Sequence, residues 1–297
     1  MNYRKLGNSE LKISEVSFGC MSLKENSQET KKLIRTAIDK GINYFDTADI
    51  YQNGQNEVML GNAVKDYRDK VIIGTKVGNE LRTDGNGWNW NPSKKYILQS
   101  VDKSLTRLQT DYIDLYQLHG GTIEDPIDET IDAFETLKRE GKIRCYGISS
   151  IRPNVIREYV KRSNISSVMM QYSLLDRRPE ESCLSLLQEN NIGVLTRGSI
   201  AKGLLSGKPP ADYLNYSASE VKKIIGLVKN LSVNGSMSST AIQFVLKYES
   251  ITSAVVGIRT EEQLLESIQA SVSELMSNEE LMLLQNCVKP NLYKNHR

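Results

Sequence analysis

Along this chain, short apolar runs alternate with longer stretches in which apolar residues recur every three or four positions. The runs are VSFGC, INYF, VIIGTK, YIDLYQLH, IRCYGIS, SVMMQYS, GVLTRGS and ITSAVVG. Runs of this length, rich in Val and Ile, predict strands buried on both faces. The periodic stretches predict helices. The first runs from about Ser27 to Lys40, with Leu33, Ile34, Ala37 and Ile38 on one face and Gly41 at its C-terminal cap. A second is expected from about Asn56 to Tyr67. Pro92 is expected to open a third, with Ile97, Val101, Leu105 and Leu108 at helical spacing. In the fourth, Asp125 caps, Pro126 opens, Ile127, Ile131, Phe134 and Leu137 form the apolar face, and Gly141 ends it. Further helices are expected from Pro153, around Glu180 to Asn190, near 218–231, near 238–248, from about Glu261 and near 277–287. Residues 3–14 predict a hairpin turning at LGNSEL, and the Gly- and Asn-rich stretch 77–92 predicts a loop.

Eight strand-then-helix units follow one another with no second run of another type. Alternation of this kind implies parallel strands, because each crossover needs a helix. Eight units close a (β/α)8 TIM barrel, whose site lies at the carboxyl ends of its strands. Periodicity by itself also admits an open doubly wound sheet. No shift in composition marks a boundary, so one α/β domain over residues 1–297, with a short N-terminal hairpin, is expected.

Charge narrows the function classes. The chain has 38 basic and 36 acidic residues, with the signs interspersed, which argues against a nucleic-acid or membrane-surface protein. No apolar run approaches the roughly 20 residues a membrane helix needs. The opening MNYRKLGNSE lacks the apolar stretch of a signal peptide. Cys20, Cys145, Cys183 and Cys287 show no C-x-x-C spacing, which points to reduced thiols and a cytoplasmic setting. With only His119 and His296 present, no histidine-rich metal site is expected.

Four polar groups interrupt the strand pattern at strand ends. Asp46 directly follows INYF, Tyr51 lies one loop further on, Lys76 ends VIIGTK and His119 ends YIDLYQLH. Taken singly, each has an ordinary structural role: a helix-capping carboxylate, one of 14 tyrosines, a solvated strand-end lysine, a satisfied core histidine. A barrel would bring the ends of its second, third and fourth strands side by side. Asp46 would then keep Lys76 charged, and the ammonium would favour the Tyr51 phenolate. His119 would hydrogen-bond a carbonyl oxygen in the same pocket. Such a set suits proton donation to an oxygen gaining negative charge. Trp88 and Trp90, on the loop after the third strand, are expected to shape the substrate pocket. No G-x-G-x-x-G stands in a Rossmann context, so a dinucleotide would be held by barrel loops.

At this point a resemblance becomes specific. FDTADIYQNGQNE, IIGTKVG, SLTRLQTDYIDLYQLHG, GISS, QYSLLDRR, RGSIAKGLLSGK and VVGIRTEEQLLES, in this order, resemble the successive motifs of the aldo-keto reductase superfamily, in particular its bacterial general reductases. The likeness runs from LGNSELKISEVSFG to the helix after Arg259. It implies a (β/α)8 barrel that reduces a small carbonyl substrate with NADPH/NADP+, and a tetrad of Asp46, Tyr51, Lys76 and His119 in which the tyrosine is the general acid. Carried over residue by residue, it assigns Ser149 and Gln171 to the nicotinamide amide. Ser150 stands where asparagine is common, and Arg197 where many members stack a tyrosine on the nicotinamide. Gly198, Ser199, Ile200, Lys202 and Gly203 would follow the pyrophosphate. Gly19, Met21 and Gly257 would approach the cofactor, Arg259 would pair with the ribose 2′-phosphate and Gln263 would lie near the adenine. Ser267 replaces an asparagine often found there. Two rival functions remain at this level: a lyase or aldolase in which Lys76 forms a Schiff base, and a non-catalytic NADPH-binding subunit.

Overall fold

A computed structural model describes all residues except 25, 26, 83, 85, 233 and 234, and leaves out the side chain of Ser27. Strands β1 (Tyr3–Lys5) and β2 (Lys12–Ser14) form the expected antiparallel hairpin. β3 (Val16–Gly19), β4 (Tyr44–Asp46) and β5 (Ile72–Val77) begin a barrel. β6 (Asn79–Leu81) and β7 (Trp88–Trp90) form a separate antiparallel hairpin. β8 (Ile113–Leu118), β9 (Ile143–Ser149), β10 (Ser167–Gln171), β11 (Gly193–Arg197) and β12 (Ile251–Gly257) complete the ring, and β12 pairs with β3 to close it. Neighbouring strands of the barrel pair in parallel throughout. This is a (β/α)8 TIM barrel.

Helices α1 (Ser27–Asp39), α2 (Gln55–Val64), α3 (Lys94–Leu108), α4 (Ile127–Arg139), α5 (Pro153–Arg162) and α6 (Cys183–Glu189) each join successive barrel strands. α7 (Ala218–Asn230) and α8 (Met237–Leu246) lie between β11 and β12, and α9 (Glu261–Val272) and α10 (Asn278–Asn286) follow. Four expectations change locally. Pro92 lies outside α3, which is capped by Ser93 accepting from the Tyr96 N–H. Asp125 does not cap α4; Pro126 holds that position, and the Asp125 carboxylate accepts from Thr122 and Trp90 instead. α2 stops at Val64 and a tighter 3-10 segment, Lys65–Lys70, continues it. The stretch expected as a loop after β5 contains the β6–β7 hairpin.

Side chains alternate between the two faces of each strand, and two cores result. The inner one is filled by Tyr44, Leu115, Cys145, Met169, Leu195 and Val255, and the β1–β2 hairpin seals it with Leu6, Leu11 and Ile13. The outer one lies between strands and helices, where Phe45, Ile73 and Leu118 meet Ile34, Leu60 and Phe134. Each large apolar side chain so buried contributes roughly 1.5–3 kcal/mol.

The α2–α3 packing depends on a glycine. A Cβ on Gly61 would stand 2.5 Å from the Leu108 carbonyl oxygen. Gly61→Ala should gain about 1 kcal/mol of helix propensity and lose more, of order 1–3 kcal/mol, to overpacking against rigid backbone. A lower denaturant midpoint is expected at unchanged m-value; a raised midpoint would show that the two helices can separate without cost.

Candidate active site

The inward alternation that puts Tyr44 in the barrel core also puts Asp46 inside, one pleat above it. On the same logic, each strand's last inward position carries a polar residue or a glycine. Register brings them round one rim. Gly19 lies opposite Asp46, Lys76 opposite Gln117, Gln171 opposite Arg197 and Gly257 opposite Gly19. The polar strand ends are thus one layer of the barrel interior, and above them opens a cleft of about 1050 Å³. That slightly exceeds the roughly 300–1,000 Å³ of an ordinary small-ligand pocket.

Lys76 is 1% exposed, and its Nζ donates to Asp46 Oδ1 at 2.5 Å and to the Thr47 carbonyl at 2.7 Å. Asp46 also accepts from the Tyr44 hydroxyl at 3.2 Å and from Gln117 Nε2 at 3.5 Å. Tyr44 fits only because Gly74 has no side chain, since a Cβ there would stand 2.1 Å from the tyrosine oxygen. Burial opposes both charges and raises the Asp46 carboxyl from its ordinary range. On Lys76, burial is outweighed by the adjacent carboxylate, and the ammonium holds its proton more tightly than in water.

Tyr51 stands above this pair, with Lys76 Nζ 5.3 Å from its ring centre. The segment that follows it is held in left-handed backbone at Gln52, Asn53 and Gly54. Gln52 Nε2 donates to the Leu23 carbonyl, and Asn56 Nδ2 donates to the Cys20 carbonyl and to Gln52 Oε1. Strain of this kind persists where surrounding contacts fix it. His119 meets Tyr51 edge to face, with ring centres 5.9 Å apart. Its backbone N–H donates to Val77 and its carbonyl accepts from Asn79 Nδ2. Burial, then the charges of Lys76 and Arg197, lower its pKa to about 3. The imidazole is therefore neutral, and its buried Nδ1 has no partner among the described residues.

Trp90 lines the cleft; Trp88 does not, and is 53% exposed further out along β7. Trp90 lies against Gly78 and Gly120, with its indole N–H donating to Asp125 at 2.9 Å. Ser149, Ser150, Gln171, Met21, Gly257, Arg259 and Gln263 also line the cleft, as do Arg197 and the 198–203 loop at Gly198, Ser199, Ile200, Lys202 and Gly203. In that loop Ala201 and Lys202 are left-handed without being glycine. Gly19 packs beneath, against the Val256 carbonyl. Ser267 is buried, donates to the Gln263 carbonyl and does not reach the cleft. Arg197 Nη1 donates to Gln171 Oε1 at 3.1 Å, so its guanidinium is turned toward the His119 end of the cleft. Among the described residues, no acidic side chain lines this cleft.

Several contributors escaped the sequence, among them Lys208, which lines the cleft beyond the 198–203 loop. Tyr213, from the long segment after β11, lines the cleft and accepts from Gln171 Nε2 at 3.0 Å. Arg152 lines its other wall. Asp49, two residues before Tyr51, is 6% exposed, and burial and then Glu57 push its carboxyl up to about 8, so it is mostly protonated at neutral pH. Asp49 and Lys208 carried a signal: each lies inside a motif quoted above, Asp49 in FDTADIYQNGQNE and Lys208 at the end of RGSIAKGLLSGK.

A closed parallel barrel with a polar rim over a deep cleft defines a class of enzymes that act on small molecules at strand ends. Residues 15–289 match the Aldo/keto reductase family, and the chain belongs to that family of oxidoreductases, which use nicotinamide cofactors. It is 51% identical over 306 residues, covering 100% of both chains, to the uncharacterised oxidoreductase YqkF of Bacillus subtilis (strain 168). It is 31% identical over 256 residues, 77% of this chain and 78% of the other, to an NADH-specific methylglyoxal reductase of Escherichia coli (strain K12). Its structure overlays on the holo form of aldo-keto reductase AKR11C1 from Bacillus halodurans with a TM-score of 0.95, at 48% identity over 100% of this chain and 99% of that one. The apo form of the same protein gives 0.87 at 46% identity, with the same coverage.

The neutral state of His119 can be tested directly. Its folded pKa lies below the unfolded value of 6.5, so between about pH 3 and 6.5 the unfolded chain binds more protons, and His119's contribution to stability is complete above 6.5 and lost as pH falls. The ring-proton resonance assigned to His119 should not move between pH 5 and 8. A titration midpoint near 6.5 would remove the neutral imidazole from the site.

Proposed function

We propose that this chain, one barrel unit over residues 1–297, is a cytoplasmic NADPH-dependent reductase of small aldehydes and ketones, with Tyr51 as general acid. The observation that carries the proposal is the buried Lys76–Asp46 pair beneath Tyr51 and beside a neutral His119. Bound NADPH would supply the hydride that reaches the carbonyl carbon. Tyr51 gives its hydroxyl proton to the carbonyl oxygen. The phenolate left behind faces the Lys76 ammonium, which lowers the cost of that charge. Neutral His119 offers one N–H to the same oxygen and cannot compete as an acid. The four unpaired cysteines, three of them buried, support a reducing compartment.

The cleft suits a dinucleotide. Lys202, Lys208 and Arg259 line it and enter no ion pair among the described residues. Gly198 and Gly257 leave room where a Cβ would come within 3.3 Å of Gln171 and 3.0 Å of Ser22. Arg259 would take the 2′-phosphate, with its backbone N–H held by Gln263 Oε1 at 2.9 Å. Gln171 would hold the nicotinamide amide, in exchange for one of its present contacts to Arg197 and Tyr213. A Schiff-base role for Lys76 is disfavoured, because it needs a neutral, accessible amine, and Lys76 is buried and held protonated.

Two variants test the proposal. Tyr51→Phe should lower turnover by roughly 10²-fold or more, with NADPH affinity little changed; near-normal turnover would remove Tyr51 from its role. Arg259→Ala should weaken NADPH by about 1.5–3 kcal/mol in fluorescence titrations and NADH far less. Equal losses for the two cofactors would show that Arg259 does not read the phosphate.

A further inference from the structure

Arg152 is a cation that neither the proton-transfer machinery nor the dinucleotide contacts above use. It follows β9 on the loop that begins with Ser150, and it lines the cleft. Its backbone N–H donates to Ser150 Oγ at 3.2 Å, and its guanidinium Nη1 donates to the Gly121 carbonyl. Backbone and head group are therefore both anchored. Among the described residues Gly121 is the only side-chain hydrogen-bond partner of Arg152, which enters no ion pair. The acids of the facing loop do not compensate it: Glu124 is exposed, and Asp125 gives its oxygens to Trp90 and Thr122. A half-buried guanidinium with most of its five N–H donors unspent is prepared for a bidentate oxyanion.

Its position says where that oxyanion would sit. Gly121 is two residues beyond His119, so the anchoring carbonyl lies within roughly 7 Å of the His119 backbone. Arg152, Tyr51 and His119 line the same cleft, so an anion on Arg152 and a carbonyl held at Tyr51 and His119 would be the two ends of one short carbon chain. Trp90 packs on Gly120 of the same loop and supplies an apolar wall for such a chain. We propose that Arg152 is a specificity-determining residue and that the substrates of this enzyme are short aldehydes or ketones with an anionic terminus, a carboxylate or a phosphate. This rests on the carbonyl-reductase reading and deepens it.

The test compares matched substrate pairs on the full-length protein with NADPH: 4-oxobutanoate against butanal, and glyceraldehyde 3-phosphate against glyceraldehyde. In the wild type at least one anionic member should have the higher kcat/KM, and the pair that shows it tells carboxylate from phosphate. Arg152→Gln should lower the anionic-to-neutral ratio of kcat/KM by about 10- to 100-fold, the worth of a charge-assisted hydrogen bond, chiefly through KM. Arg152→Lys, which keeps the charge without the fork, should restore part of the ratio. Neutral preference in both wild-type pairs, or a ratio unchanged by Arg152→Gln, would overturn the proposal while leaving the reductase reading intact. A parallel loss of NADPH affinity with an unchanged ratio would reassign Arg152 to the cofactor and also overturn it. Absence of turnover with every carbonyl, neutral members included, would instead overturn the reductase reading itself.

Discussion

The buried pair of Lys76 and Asp46 is the constraint on which the rest of the site depends. An isolated ammonium inside the barrel would shed its proton, because burial in low dielectric disfavours the charged form. Asp46 prevents this from the neighbouring strand, at 2.5 Å. The carboxylate in turn needs donors, and Tyr44 and Gln117 supply them from the same inner face. Tyr44 can do so because Gly74 leaves it room. Removing one partner of such a buried pair typically costs about 3–5 kcal/mol, so the electrostatics of Tyr51 are tied to how the barrel interior packs. The neutral Asp49 carboxyl behind the Tyr51 segment fits the same economy of charge. A second ionised acid there would compete with Tyr51 for the field of Lys76.

Much of this architecture is legible in the sequence, and the reason is physical. Strands buried on both faces read as short apolar runs, and crossover helices keep one apolar stripe. Their strict alternation over eight units therefore specifies parallel pairing and closure. Asp46, Lys76 and His119 stood out because a polar residue is expensive at the end of an apolar run unless it has a partner or a task. The structure brings these residues together with Tyr51 at one rim.

What the sequence hid depends on contacts between distant segments. Asp125 before Pro126 has the form of a helix cap, yet Trp90 and Thr122 claim its carboxylate. The β6–β7 hairpin is only three residues to a strand, so its alternation is too short to separate from a loop. That hairpin distinguishes two tryptophans of equal chemical promise: Trp90 is held between Gly78 and Gly120, and Trp88 is carried outward. Tyr213 reaches Gln171 across 42 residues of chain, and Arg152 reaches Gly121 across 31. Neither residue has a spacing or a motif that announces its partner.

The charge lining the cleft has a consequence for how ligands arrive. The chain as a whole is almost neutral, with a formal charge of +2. Yet Arg152, Arg197, Lys202, Lys208 and Arg259 all face one concavity without an acidic neighbour among its described lining residues. Low-dielectric walls focus such a field, and focused fields raise encounter rates with oppositely charged molecules by roughly 10 to 10³. At physiological salt the Debye length is about 8 Å, so the pull is confined to the barrel mouth. The protein can therefore be near-neutral toward the solution at large and strongly attractive over one opening. Molecules are sorted by charge during diffusion, before any hydrogen bond has formed.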